Sequence, residues 1–195
     1  MAATLAIVIM CGLSVRPAQA GYIVTLQQVG SNVVATGSGT IDLTDLSTPP
    51  GTGSKVSYMD PFNGAILTGP ALPTLTSIDE YAGIFGPASF GTHSGTENAD
   101  SGSGAMVGII NDQFLDVPSG YVSGFLSGKS TWNIATFSSL GVKPGTYVWT
   151  WGTGVHADSF TLIASLPDSG STLGLLLVSL LALVGASRFR SQQSA

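Results

Sequence analysis

Tyr22-Ile23-Val24-Thr25-Leu26-Gln27, then Gly30-Ser31-Asn32, then Val33-Val34-Ala35-Thr36 is the stretch whose reading decides the fold class. Val, Ile, Thr and an aromatic residue crowd its two arms, and no 3.6-residue apolar period runs through it, so it reads as strand. Gly30-Ser31-Asn32 supplies the chemistry of a tight turn, which makes Tyr22–Gln27 and Asn32–Thr36 the arms of a hairpin. Thr40–Leu43 continues in the same style as a third opening strand.

The same pattern recurs toward Ser165. Ala105–Ile110, Tyr121–Leu126, Thr131–Phe137, Thr146–Trp151 and Ser159–Ile163 are the later strand candidates, separated by Gly, Pro, Asn and Ser. Strands at this spacing predict an all-β domain over residues 21–165, a small β-sandwich or jelly roll in which two sheets each bury one face. The weakly patterned middle, roughly Thr48–Ser103, is expected to be a long loop region around one or two edge strands. No internal repeat of solenoid or propeller length is present, so one compact domain is expected.

Between Gly21 and Ser165 three lysines stand against ten carboxylates, a net of −7 with no arginine. Nucleic-acid binding draws its affinity from Lys and Arg that displace counterions from phosphates, and this domain cannot supply that term. Its one neighbouring cysteine, Cys11, lies before Gly21, so the domain holds no disulfide and depends on packing.

Tyr147, Trp149 and Trp151 fall at i, i+2 and i+4, which in a strand places all three rings on one face. Buried, they would form core. Exposed, they would offer a stacking surface for sugar rings, the signature of a carbohydrate-binding module. The reading as core is preferred, because a thiol-free domain needs large apolar side chains inside. His93, Glu97 and Asp100 in the loop Gly91–Gly104, and His156 before Asp158, are spaced as metal ligands could be, yet they form no known ligand motif. Gly91-Thr92-His93-Ser94-Gly95 lacks the strand-turn-helix setting of a hydrolase nucleophile. Gly124-Phe125-Leu126-Ser127-Gly128-Lys129-Ser130 is one residue short of a phosphate-binding loop and runs into β-like sequence, so it is expected to be a hairpin turn. No catalytic residue, metal ligand or cofactor site is assigned, and the domain is not expected to be an enzyme.

The two ends carry addresses. Leu5–Leu13 is an apolar run of signal-peptide length, and Ala18-Gln19-Ala20 has the small-x-small form cut by signal peptidase, so residues 1–20 are expected to pass the Sec translocon and be removed. Residues 173–187 form an uncharged, Leu-rich run, followed by a basic tail over 188–195 with Arg188 and Arg190. A helix of this length approaches the roughly 30 Å of bilayer hydrocarbon, and the arginines favour the cytoplasmic side of the inner membrane, leaving residues 21–165 outside. Leu166-Pro167-Asp168-Ser169-Gly170-Ser171-Thr172 joins domain to helix, with Pro, Gly and hydroxyl residues that keep the peptide extended for a processing enzyme.

This tripartite tail, residues 166–195, resembles the PEP-CTERM class of sorting signals in its V-P-D-S-G-S-T variant. Pro167, Asp168, Ser169, Gly170, Ser171 and Thr172 match, and Leu166 stands in place of Val. The resemblance implies recognition and cleavage by an exosortase, an integral-membrane transpeptidase-like enzyme of exopolysaccharide-producing Gram-negative bacteria. Leu166-Pro167-Asp168-Ser169-Gly170 is also similar to the L-P-x-T-G signal of Gram-positive sortases, with Ser169 in place of Thr, which would make the chain a sortase-anchored cell-wall protein. The opening Tyr22–Gly39 and the closing Pro144–Gly152 and Ala157–Leu162 resemble ectodomains carried by PEP-CTERM proteins. The expected function is therefore that of an exported, exosortase-processed surface or extracellular-matrix protein without catalytic activity. The partners expected are signal peptidase, the translocon, the exosortase and, transiently, the inner membrane, with exopolysaccharide as a candidate.

Overall fold

The computed structural model describes residues 21–47, 52–111 and 113–166. Thirteen strands follow in chain order: β1 Tyr22–Val29, β2 Asn32–Gly39, β3 Thr52–Lys55, β4 Tyr58–Asp60, β5 Ala65–Thr68, β6 Thr76–Ala82, β7 Glu97–Asn98, β8 Ser101–Gly104, β9 Val107–Ile110, β10 Phe114–Pro118, β11 Leu126–Trp132, β12 Gly145–Trp151 and β13 Asp158–Ser165. A 3₁₀ turn, Gly154–His156, joins the last two. The strands form a six-stranded sheet in the order β12-β13-β1-β2-β11-β8 and a seven-stranded sheet in the order β3-β6-β10-β9-β5-β4-β7. The all-β sandwich predicted from the sequence is the fold observed.

Alternation builds the first sheet. Tyr22, Val24 and Leu26 of β1 point inward with Val33 and Ala35 of β2, Phe160, Leu162 and Ala164 of β13, and Trp132 of β11. Met59, Ile66, Val107, Ile109, Leu115 and Val117 of the second sheet join them in one continuous core. β1 and β2 pair from Tyr22↔Gly39 to Val29↔Asn32, leaving Gly30 and Ser31 as a two-residue turn. Gly30 has φ +60 while Ser31 stays outside the left-handed region, the arrangement of a type II′ turn, whose twist matches the strands it joins. Strand β13 runs parallel to β1, from Tyr22↔Phe160 to Gln27↔Ser165. Gly21 and Ser165 are thus at opposite ends of the sheet.

Several sequence expectations are corrected. Thr40–Leu43 is irregular, because its backbone bonds to side chains instead of a neighbouring strand: Asp42 N–H donates to Asp158 Oδ2 at 2.7 Å and Trp151 Nε1 donates to Asp42 O at 2.7 Å. Tyr121–Phe125 is likewise a loop, bracketed by Gly120 (φ +77) and Gly124 (φ +115), and only Leu126 of that candidate enters a strand. Leu126–Ser130, read as part of a hairpin turn, lies inside β11, bonded to β2 on one side and, from Gly128 onward, to β8 on the other. The candidate Thr131–Phe137 ends at Trp132, where the chain turns through Ile134 at φ +50.

The largest departure is the middle. Thr48–Ser103 contributes β3 to β7 and most of β8, hence much of the second sheet. β5 within it, like β9 just after it, lacks alternation because both faces are covered: every residue of these two strands is buried. Leu67, Ile78, Met106 and Ile110 form a second apolar cluster with the half-buried Tyr58 and Phe114. Strands buried on both faces read as continuous apolar runs, too short here to separate from loop. The candidate Ala105–Ile110 narrows to Val107–Ile110, since the chain crosses from one sheet to the other between β8 and β9.

Candidate functional site

Tyr147, Trp149 and Trp151 share one face of β12, and that face is inward. Trp149 is 0 % exposed and Trp151 3 %, while Tyr147 is half-buried. Trp149 packs edge-on against Phe160, centroids 6.0 Å apart, and donates its indole N–H to Pro87 O at 3.1 Å. Tyr147 tilts over Phe90 and donates its hydroxyl to Lys143 O at 3.0 Å. A sugar stacks only on an accessible ring face, and both indoles are covered. The carbohydrate-stacking alternative is therefore corrected for Trp149 and Trp151, whose N–H groups also find partners within the fold.

The histidine clusters serve as clasps. His93 Nε2 lies 3.1 Å from Glu97 Oε1, but Asp100 turns away and accepts the Asn133 N–H at 2.6 Å. His156 Nδ1 lies 2.9 Å from Asp42 Oδ2, whereas Asp158 accepts the N–H groups of Asp42 and Ser159. Asp45 adds an acceptor for Thr153 N–H at 3.1 Å. Together these bonds fasten the irregular segment after β2 to the β12–β13 turn. Bonds from the Thr44 hydroxyl, from His156 and from the Thr44 amide hold Asp42 down to about 2, and the bond to Asp42 raises His156 in return. Burial pushes Asp158 up. Among the described residues no three His, Cys, Asp or Glu converge as a metal site would require.

Sequence reasoning missed Asp116. It sits on β10 fully buried, with Lys55 Nζ 3.0 Å from its Oδ2 and 3.2 Å from Glu80 Oε2. Burial pushes its carboxyl up to about 6 against the pull of Lys55, and neither oxygen accepts a well-directed hydrogen bond. Burial, followed by the charges of Asp116, Asp60 and Glu80, pushes Tyr58 up to about 12. The available signal was a lone acid between Leu115 and Val117, which alternation assigns to the opposite, solvated face; here that face is covered too. A separate open hollow of about 600 Å³ is lined, among the described residues, by Phe62, Asn63, Ala88, Ser89, Asn111 and Gln113, offering a ligand amides and a hydroxyl.

The remaining candidate lies where the sheet ends. β13 alternates buried and half-buried residues through Ser165 and is bonded on both sides, to β12 and to β1. Leu166, half-exposed at 55 %, is the first residue past it. Residues 167–190 match the VPDSG-CTERM motif. The chain carries a PEP-CTERM-like sorting signal. Neither a curated protein nor a solved structure matches the chain. The VPDSG-CTERM match takes in Pro167–Thr172, the apolar run 173–187, Arg188 and Arg190, and it points to an exported, exosortase-processed, membrane-associated precursor. Those residues, like Ala18 and Ala20 of the expected signal-peptidase site, lie outside the described residues. Among the described residues no helix is long and apolar enough to cross a membrane. One residue separates the VPDSG-CTERM signal from the folded sheet.

Proposed function

We propose that this chain is the precursor of a non-catalytic surface or extracellular-matrix protein whose β-sandwich is the delivered cargo. It enters the Sec translocon, loses residues 1–20 after Ala20, is held in the inner membrane by residues 173–187 with Arg188 and Arg190 on the cytoplasmic side, and is processed by an exosortase at Leu166–Thr172. The observation that carries this reading is the VPDSG-CTERM match beginning two residues past the end of β13. A strand bonded on both flanks cannot be drawn into an enzyme cleft without breaking two ladders, so cleavage beyond Ser165 hands over the sandwich whole.

A structural role is supported by where the polar groups go. His156, Asp42, Asp158 and Asp45 are spent on backbone bonds and a clasp between segments. Contact with exopolysaccharide is supported by the outer face of the six-stranded sheet. There the register aligns Thr146, Ile163, Thr25, Thr36, Lys129 and Ser103 in one cross-strand row, a broad hydroxyl-bearing surface with a single cation.

The test is made in cells that contain an exosortase. N-terminal sequencing of exported protein should begin at Gly21, and deleting the exosortase should leave a heavier band in the membrane fraction. Deletion with no precursor build-up overturns the exosortase assignment, and an N-terminus still containing Cys11 overturns the signal-peptide assignment.

A further inference from the structure

The direction of β13 decides which end of the sandwich lies next to the membrane. Ser165 pairs with Gln27 and Gly145 pairs with Ala164, so the chain leaves the sheet beside the Gly30–Ser31 turn and the start of β12. The loop after β11 is fastened at this same end: Ala135 N–H donates to Ser31 O at 3.0 Å, Ile134 N–H to Asn32 Oδ1 at 3.0 Å, and Gln28 Nε2 to Ala135 O at 2.9 Å. From Ser165 to Leu173, where the apolar run begins, eight residues reach at most about 29 Å even when fully extended. The end bearing Gly30–Ser31 is therefore confined near the bilayer for as long as residues 173–187 hold the precursor.

That end presents apolar side chains outward. Ile134 is 90 % exposed, Val29 55 % and Leu166 55 %. Ile134 also sits at φ +50, a region a β-branched residue enters only at a cost, and the three bonds just named hold it there. A strained conformation that keeps a large apolar side chain in water gains nothing for the fold, and strain retained by surrounding bonds gathers at working surfaces. The exposed Lys143 precedes the start of β12 at this same end, and Asp100 and the half-buried Glu97 adjoin the loop after β11, so charge at this end is mixed and does not select anionic lipid.

We infer that Ile134, Val29 and Leu166 form a foot that rests on the lipid surface while the precursor is anchored and leaves it on cleavage. The inference rests on the sorting reading above. Two or three apolar side chains bind a bilayer weakly as a free domain, but the tether makes the contact intramolecular and raises its effective concentration to the millimolar range. Apolar contact also makes the attachment insensitive to salt. The opposite end carries exposed Val122, Phe125 and Val155, yet the tail does not leave from there.

The test uses the precursor as it stands after loss of residues 1–20, residues 21–195, which hold no cysteine, so that one introduced thiol labels alone, reconstituted in vesicles of neutral phospholipid. Ser31→Cys reports on the foot and Val155→Cys on the far end. With the protein floating with the vesicles, the thiol at position 31 should react with an aqueous maleimide several-fold more slowly than that at 155. The difference should persist in high salt and vanish with Ile134→Ser, or when the tail is cut after Thr172. Equal rates in floating protein overturn the foot while leaving the sorting reading intact. Protection of position 31 only in vesicles that also contain the exosortase overturns it in favour of a contact with the enzyme. Failure to float overturns the sorting reading, and the foot with it.

Discussion

At the scale of the residue, two buried groups, Trp149 and Asp116, act on stability in opposite ways. Trp149 fills the space between β12, Phe160 and Pro87 with its N–H satisfied, so Trp149→Ala loses both transfer energy and packing, about 3 to 5 kcal/mol. Urea denaturation of the two proteins should register that loss. Asp116 instead costs stability. Its folded carboxyl titrates at about 6, above the ordinary 3.8, so between those values the folded state holds a proton that the unfolded state has released. Stability must therefore fall as pH rises from about 4 to about 6, by about 3 kcal/mol on a shift of this size. Asp42 runs the other way, contributing stability above pH 3.8 that is lost as pH falls toward 2. His156 contributes below 6.5 and loses its share as pH rises past its raised folded value. Comparing melting temperatures of wild type and Asp116→Asn across pH 4 to 6.5 isolates the buried acid: the downward slope should be shallower in the variant. Parallel curves would mean that Asp116 ionises in the fold as readily as outside it.

At the scale of the element, the strands that could be read were those that keep one face wet. Tyr22–Thr36 shows its turn and its alternation because only one side of β1 and β2 is covered, and Thr146–Trp151 and Ser159–Ile163 are legible for the same reason. β5 and β9 hide their period because both sides are covered, and β11 reads as a turn because Gly128 and Ser130 stand at its core-facing positions, where strands usually carry bulky apolar residues. The glycine at Gly37 has a similar cause. A Cβ there would come within 2.5 to 2.8 Å of the Tyr22 ring and hydroxyl, so β2 gives up a side chain to let Tyr22 stack on Phe160. Gly37→Ala should cost about 1 to 3 kcal/mol by overpacking. It should also shift the near-ultraviolet circular dichroism of the tyrosines, while an alanine at the outward Ser38 should do neither. Of the candidate site residues, the aromatic row gave its shared face to sequence reasoning, but Asp116 could not, because its burial depends on a face that alternation labels as solvent.

At the scale of the whole molecule, domain and tail obey different physics and should fail separately. Residues 173–187 are expected to insert because their side chains prefer lipid, so Leu177→Asp, a charge near the centre of the span, should weaken membrane retention by about 2.5 to 3.5 kcal/mol. On the proposed reading Pro167 serves recognition by the exosortase and not insertion, so Pro167→Ala should leave insertion intact and block processing. The separation between folded sheet and signal is a single residue, which ties the two in one direction only: β13 is bonded on both sides through Ala164 and to β1 through Ser165, so on the proposed reading an exosortase works on what lies beyond it. Fractionating cells that contain an exosortase distinguishes the cases. Leu177→Asp protein should leave the membrane fraction, whereas Pro167→Ala protein should stay there as the heavier, uncleaved band. Both variants should give the same thermal melt as wild type for the sandwich, since neither residue belongs to it. Normal processing of Pro167→Ala would reduce the motif to a linker, and full membrane retention of Leu177→Asp would show that something other than residues 173–187 holds the precursor in place.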